Sequence, residues 1–410
     1  MSFFKRNLLF LVLFTVCSVL PFTVFAAPDA ESAPVEMVMY VYDARPAEFQ
    51  ALTDAYKELH PNVTVETIIP AADFFGSLTA RIASNTMPDI VMGEYQGLYD
   101  LGKAGHMVNL KGLPLIDHFD EAVLPQMTAP DGNIYGVPTN FAAMGIMYNR
   151  DMFDQAGIDE FPRTISGLED AVDKLRAAGF TPFSVAGLEA WTHGQMFYTA
   201  IASVQPDVFR FASDGATGDI LLAEHLLAMK ALDLQFDNSL DESQGSDYGT
   251  FINHFATEQV SMIQMGTWAL NHVLGLNPDV NMRYAAVPYS ENPEDARLSA
   301  NIGVSLGVGA QTEHRDEAIG FLDWVTSVEG NTKYSELFKE IPVVTGVDVP
   351  LLPAAEDVLR YKEAGAIVPW SQVLMSEAGR AEGSAIMQQY FLGEISAEQA
   401  TRGVYENWFK

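Results

Sequence analysis

Five tryptophans, at 191, 268, 324, 370 and 408, fall into two kinds by their surroundings. Trp191 follows "VAGLEA" and precedes the polar Thr192 and His193, Trp268 ends "MIQMGTW", and Trp370 lies between Pro369 and the polar pair Ser371 and Gln372. These three stand where a strand or turn gives out, which frees an aromatic plate to stack on something other than its own core. Trp324 shares a helical face with Phe321 and Val325 and reads as core, and Trp408, with Tyr405, reads as packing a terminal helix. Polar partners for a plate-bound molecule come from Asp43, Glu94, Tyr95, Asn140 and Asn301, with Arg45 beside Asp43 reading first as an ion pair. Carboxylates and carboxamides of this kind form paired hydrogen bonds to hydroxyls.

These residues need rigid elements to hold them. "VEMVMYVYD" (35–43) reads as a buried strand, 46–60 as a helix with Phe49, Leu52, Tyr56 and Leu59 at helical spacing, and "NVTVETIIP" (62–70) as a second strand. A helix capped by Asp73 and the strand "PDIVMG" (88–93) follow, giving the alternation of an open, doubly wound α/β layer. In such layers ligands sit beyond the carboxyl ends of the strands, here Tyr42-Asp43 and Glu94-Tyr95. A second α/β unit starts with the Thr164-capped helix 164–178, and "EQVSMIQM" (258–265) reads as the buried strand that delivers Gly266-Thr267-Trp268.

The chain opens like a secretory signal: Lys5 and Arg6, an apolar stretch from Leu8 to Leu20, then Val24-Phe25-Ala26 as a small-residue cleavage site. The apolar run ends at Pro21, short of the roughly 20 residues that span a bilayer. Cys17, the only cysteine, lies inside that run, so the processed chain has no disulfide or thiolate chemistry. What remains is long enough for two domains of about 100–200 residues each. A net charge of −31 repels nucleic acid and anionic membranes and reads as a solvated surface. No metal is expected, since the run Asp237 to Glu242 is too irregular for a calcium loop.

Taken in order, "MVMYVYD", "YKELHPNVTVE", "NTMPDIVMGE", "DGNIYGVPTN", "IMYNRDMFDQAGI", "LRAAGFTPFSVAG", "EQVSMIQMGTWAL" and "HRDEAIGFLDWVTSVEG" resemble the extracellular solute-binding proteins of family 1. These are the maltose-binding-protein-like proteins that serve sugar-uptake ABC transporters. The resemblance implies two doubly wound α/β lobes joined by a multi-segment hinge, the type II periplasmic binding protein fold. It also implies a monomer in the periplasm that takes a small carbohydrate into the interlobe cleft and delivers it to the transporter's permease subunits, with no cofactor.

On that pattern "YGVPTN" is a hinge strand, because Pro138 lacks a ladder donor, and "AAVPYS" with Pro288 is the return crossing. Lobe one is then 27–138 with 289–329, and lobe two 139–288 with 330–410, after a leader 1–26. Trp268 matches the family's sugar-stacking position closely, and Trp191 and Trp370 match less closely. The rival reading is a secreted glycoside hydrolase, which needs two carboxyls about 5–10 Å apart. Asp43 and Glu94 are the pair on offer. No His-Glu-x-x-His, glycine-rich phosphate loop or Cys/His cluster accompanies them, and His225, His254 and His272 read as structural.

Overall fold

The computed structural model describes residues 33–410 apart from Ala44, 71–73, 205–218 and 409–410. The leader with its cleavage site and the cap expected at Asp73 lie outside the described residues, as does the side chain of Trp408. The opening unit runs β1 (Val35–Tyr40), α1 (Pro46–Leu59), β2 (Val63–Ile68), α2 (Phe74–Ala83), β3 (Ile90–Gly93) and α3 (Tyr95–Lys103). Pro46 sits in the first turn of α1, where a missing N–H costs nothing, and Phe49, Leu52 and Tyr56 form the buried face. β1 pairs in parallel with β2 and β3, as the strand-helix-strand order predicts.

After α4 (Leu124–Met127) the chain enters β4 (Val137–Pro138) and then β5 (Phe141–Asn149). Past α5 (Arg150–Gln155) come α6 (Ile165–Ala177), β6 (Thr181–Phe183), α7 (Ala190–Val204), α8 (Asp219–Asp237) and α9 (Tyr248–Ala256). The order continues with β7 (Val260–Gly266), α10 (Ala269–Leu276), β8 (Met282–Ala285), β9 (Leu298–Ile302) and β10 (Ser305–Val308). It closes with α11 (Arg315–Val325), α12 (Val328–Phe338), α13 (Pro353–Glu363), β11 (Ile367–Val368), α14 (Glu377–Phe391) and α15 (Ala397–Trp408). Thr164 caps α6 as expected, its hydroxyl accepting from the Gly167 N–H at 3.2 Å.

Two sheets result, ordered β2-β1-β3-β10-β4 and β11-β9-β5-β7-β6, with β8 on the second half of β5. All nine residues of β5 are buried, because helices cover both faces of its sheet. Ile146 packs with Leu168, Phe197 and Leu232 on one side, and Met147 packs with Phe255, Val273 and Val358 on the other. The first sheet has its own core around Met39, Phe49, Ile90, Leu306 and Phe321. Trp324 belongs to it, 9 % exposed and 5.3 Å from Tyr56 between ring centroids, so the core reading holds.

Chain crossings between the sheets correct the expected lobe boundaries. The first follows Pro138: β4 pairs with β10, and β5 belongs to the second sheet. The return is not at Pro288, since Val287 and Tyr289 are buried in the second lobe's core and β9 pairs with β5. It comes at Ile302 to Ser305, between β9 and β10. A third crossing follows Val347, which still packs on lobe one, and precedes Leu351, which packs on lobe two. A Val-Pro pair interrupts a ladder whether or not the chain leaves its lobe, which is why Pro138 and Pro288 looked alike.

Candidate functional site

The first two crossings run side by side and hydrogen-bond to each other. Thr139 N–H donates to Val304 O at 3.0 Å, and Gly303 N–H to Asn140 O at 2.8 Å. Asn140 lies over Gly303, where a Cβ would fall 2.2 Å from its Oδ1, so glycine is required there. The Asn331 amide donates to Thr139 O at 2.7 Å and ties α12 to the same junction. A third segment joins through Phe141 N–H donating to Ile341 O at 2.8 Å.

On lobe two, aromatic rings are set at the starts of helices. Trp268 occupies the residue before α10, and its ring lies flat on Gly266, where a Cβ would meet it at 2.1 Å. The Trp370 ring stands against it at 88° with centroids 6.3 Å apart, and its indole N–H donates to Ser299 O of β9 at 3.1 Å. One turn along α10 from Trp268, His272 meets the Tyr248 hydroxyl at 3.2 Å through Nδ1. The Tyr248 ring lies 5.5 Å from Trp191, which is 37 % exposed and donates its indole N–H to Glu189 at 3.2 Å. Two groups of touching, partly accessible rings, Trp370 with Trp268 and His272 with Tyr248 and Trp191, thus follow one another, one turn of α10 apart.

Lobe one faces these rings with charge. The Asn271 amide, beside His272, reaches Glu48 of α1 at 3.4 Å, and Arg380 of α14 is paired with Glu94 at the end of β3. His272 is pushed below its ordinary pKa, first by burial and then by the positive Arg45, with Asp43 and Glu48 pulling the other way. Those three lobe-one groups therefore lie across from it. Tyr42 is 38 % exposed, yet burial among its neighbours raises its phenol, with Glu94 and Asp43 adding to the rise. A ring open to solvent on one side and enclosed on the others lines a cleft.

Of the residues singled out from the sequence, Trp268 and Trp370 are in direct contact, and Trp191 contacts Tyr248, which in turn contacts His272 one turn of α10 from Trp268. Arg45 is a clamp, 6 % exposed. Its Nε donates to both Asp43 oxygens at 2.8 and 2.9 Å, and Nη2 donates to Glu340 at 2.6 Å. Nη1 reaches Phe338 O at 3.3 Å, and the guanidinium sits 4.7 Å over the Phe338 ring. Burial opposes the charge of Arg45, and Glu340 and Asp43 more than offset it. Tyr95 turns into lobe one, donating to Thr128 O at 3.0 Å in a crevice shared with Tyr99, Tyr135 and Ser305.

Asn140 and Asn301 are 4 % and 8 % exposed, and each keeps a carboxamide oxygen with no hydrogen-bond partner among the described residues. Buried acceptors are ordinarily satisfied, so these two oxygens are exceptions beside the hinge. Tyr248, Glu48 and Arg380 were not singled out from the sequence, and His272 was read there only as structural. The i, i+4 step from Trp268 to His272 was readable, but the pairing of Glu94 with a residue 286 positions away was not.

Among the described residues no helix is long and apolar enough to cross a membrane. Residues 42–332 match the family model of bacterial extracellular solute-binding proteins. The multiple sugar-binding protein of Streptococcus mutans is 24% identical over 312 residues, covering 73% of each chain. A maltooligosaccharide ABC transporter solute-binding lipoprotein of Streptococcus pneumoniae is 23% identical over 338 residues, covering 78% of this chain and 74% of that one. In solved structures the fold recurs in RafE in complex with raffinose, with a TM-score of 0.80 at 20% identity over 92% of this chain and 98% of that one. The apo-form of RafE from Streptococcus pneumoniae gives 0.75 at 21% identity, covering 94% and 99%. With two α/β lobes, three crossings and a lined cleft, and a family match over most of its length, the chain belongs to the bacterial extracellular solute-binding proteins.

Proposed function

We propose that the protein captures a sugar or related polyol between its lobes and delivers it, unchanged, to the permease of an ABC transporter. The observation that carries this reading is the succession of rings from Trp370 to Trp191 facing hydrogen-bonding groups across a hinge. Sugars present apolar C–H faces and hydroxyl edges, and such a cleft matches both. Relatives named as sugar-binding and maltooligosaccharide-binding proteins support it. Trp268, Trp370 and Trp191 would supply the plates, and Asp43, Glu94, Asn140 and Asn301 the polar contacts. Arg45 would act by holding Asp43 in place. The protein works outside the cytoplasm as a monomer after cleavage near Ala26, which N-terminal sequencing of the exported chain checks.

The hydrolase alternative requires a carboxyl free to give a proton. Asp43 is held by Arg45 and Glu94 by Arg380, so neither carboxylate of the candidate pair stands free of a guanidinium. The test is a thermal-shift panel of mono-, di- and oligosaccharides with a reducing-sugar assay in parallel. A ligand at 100 times its Kd should stabilise the fold by about 2.7 kcal/mol and be recovered intact. Small-angle scattering should show a smaller radius of gyration with ligand, as both lobes close on it. A cleaved product, or no response to any sugar, overturns the reading.

A further inference from the structure

Both guanidiniums identified on the cleft walls are already committed. Arg45 has Asp43 on its Nε edge and Glu340 on Nη2, with Nη1 on the Phe338 carbonyl. Little of its five-donor fork is left for a ligand. Arg380 is paired with Glu94, and Glu48 adds a further carboxylate, met across the cleft by the uncharged amide of Asn271. Four carboxylates, Asp43, Glu48, Glu94 and Glu340, therefore stand against two guanidiniums. His272 adds no positive charge at neutral pH, since burial and Arg45 keep it deprotonated.

A carboxylate-bearing sugar is recognised by a free Arg fork or ammonium. Here it would have to take Arg380 from Glu94, leaving that carboxylate unpaired beside a second anion, and like charges brought together across an interface are strongly rejected. The aromatic rings ask for no charge at all. We infer that this cleft selects uncharged sugars and excludes uronates, with Glu94 and its hold on Arg380 as the specificity-determining contact.

The inference rests on the reading of the cleft as a carbohydrate site, and its failure is separable from that reading's. Titration calorimetry would first use neutral gluco-, galacto- and xylo-sugars of one to four rings, then the counterpart of the tightest binder carrying a C6 carboxylate. The uronate should bind at least about a hundred-fold more weakly, and the gap should narrow with added salt. Glu94→Gln removes this counter-charge from Arg380 and should narrow the gap roughly ten-fold, whereas a purely structural Glu94 would weaken both sugars equally and leave the ratio unchanged. Thermal melting of the variant confirms that it is folded, and Arg380→Gln provides the reciprocal variant, which should not narrow the gap. A uronate that binds as well as the neutral sugar, or a ratio indifferent to Glu94→Gln, overturns the inference while sugar capture stands. Failure of neutral sugars and uronates alike overturns sugar capture and this inference with it.

Discussion

The two walls of the cleft are built from different chemistry. Lobe one presents Asp43 and Glu94 at strand ends, each fixed by a guanidinium, with Glu48 of α1 beside them, while lobe two presents rings set on helix starts. The first arrangement is directional and strong only when every partner is in place. The second is non-directional, and its contribution grows with the apolar area it covers. Under the proposed function, a sugar would rest on the aromatic wall before closure, and the polar wall would then fix its orientation. Affinity should therefore follow lobe two, and discrimination should follow lobe one.

The largest effect expected from breaking this contrast lies at Arg45. Arg45→Ala leaves Asp43 and the 4 % exposed Glu340 without their cation, and removing one partner of a buried pair typically costs about 3 to 5 kcal/mol. Urea unfolding measures it, and a loss under about 1 kcal/mol would show that Arg45 is not a clamp. Trp324→Ala should cost a similar 3 to 5 kcal/mol in stability, as a core deletion in lobe one, without touching affinity in the folded fraction.

Lobe two also holds an acid-sensitive group. His193 is fully buried against Phe236 and Phe391, and desolvation lowers its pKa to about 4. Its folded pKa lies below its unfolded value, so its contribution is complete above about pH 6.5 and is lost as pH falls toward 4. The loss across that window is about 3 kcal/mol. Replacement by Gln should flatten the acid limb of a stability-versus-pH curve, and an unchanged limb would place the sensitivity elsewhere.

Trp268→Ala comes next, weakening sugar binding by about 1.5 to 3 kcal/mol, roughly ten- to a hundred-fold or more, with little loss of stability. If it unfolds as Trp324→Ala does while the residual folded protein binds normally, the assignment of the aromatic wall is wrong. The smallest stability effect belongs to Glu94→Gln. The Glu94–Arg380 pair is 36 % and 19 % exposed, and its loss should change unfolding free energy by only about 0 to 1 kcal/mol. Its influence belongs to selectivity, so a large destabilisation would turn that lobe-one contact into a structural one.

Local pattern carried much of this molecule. The β1-α1-β2 unit, the Thr164 cap, the buried strand before Trp268 and the core face of Trp324 all follow from spacing and turn chemistry within a dozen residues. Periodicity reports which face of an element is apolar, and nothing more distant. Tertiary structure alone decided where the chain changes lobes, because Pro288 and Pro138 look alike until β9 is seen to pair with β5. It also decided that Arg45 is consumed by Glu340, 295 residues away, and that Glu94 faces Arg380. Ion pairs of that reach leave no local trace in a sequence: the first exists only because distant segments of lobe one pack together, and the second only because the hinge holds the two lobes face to face.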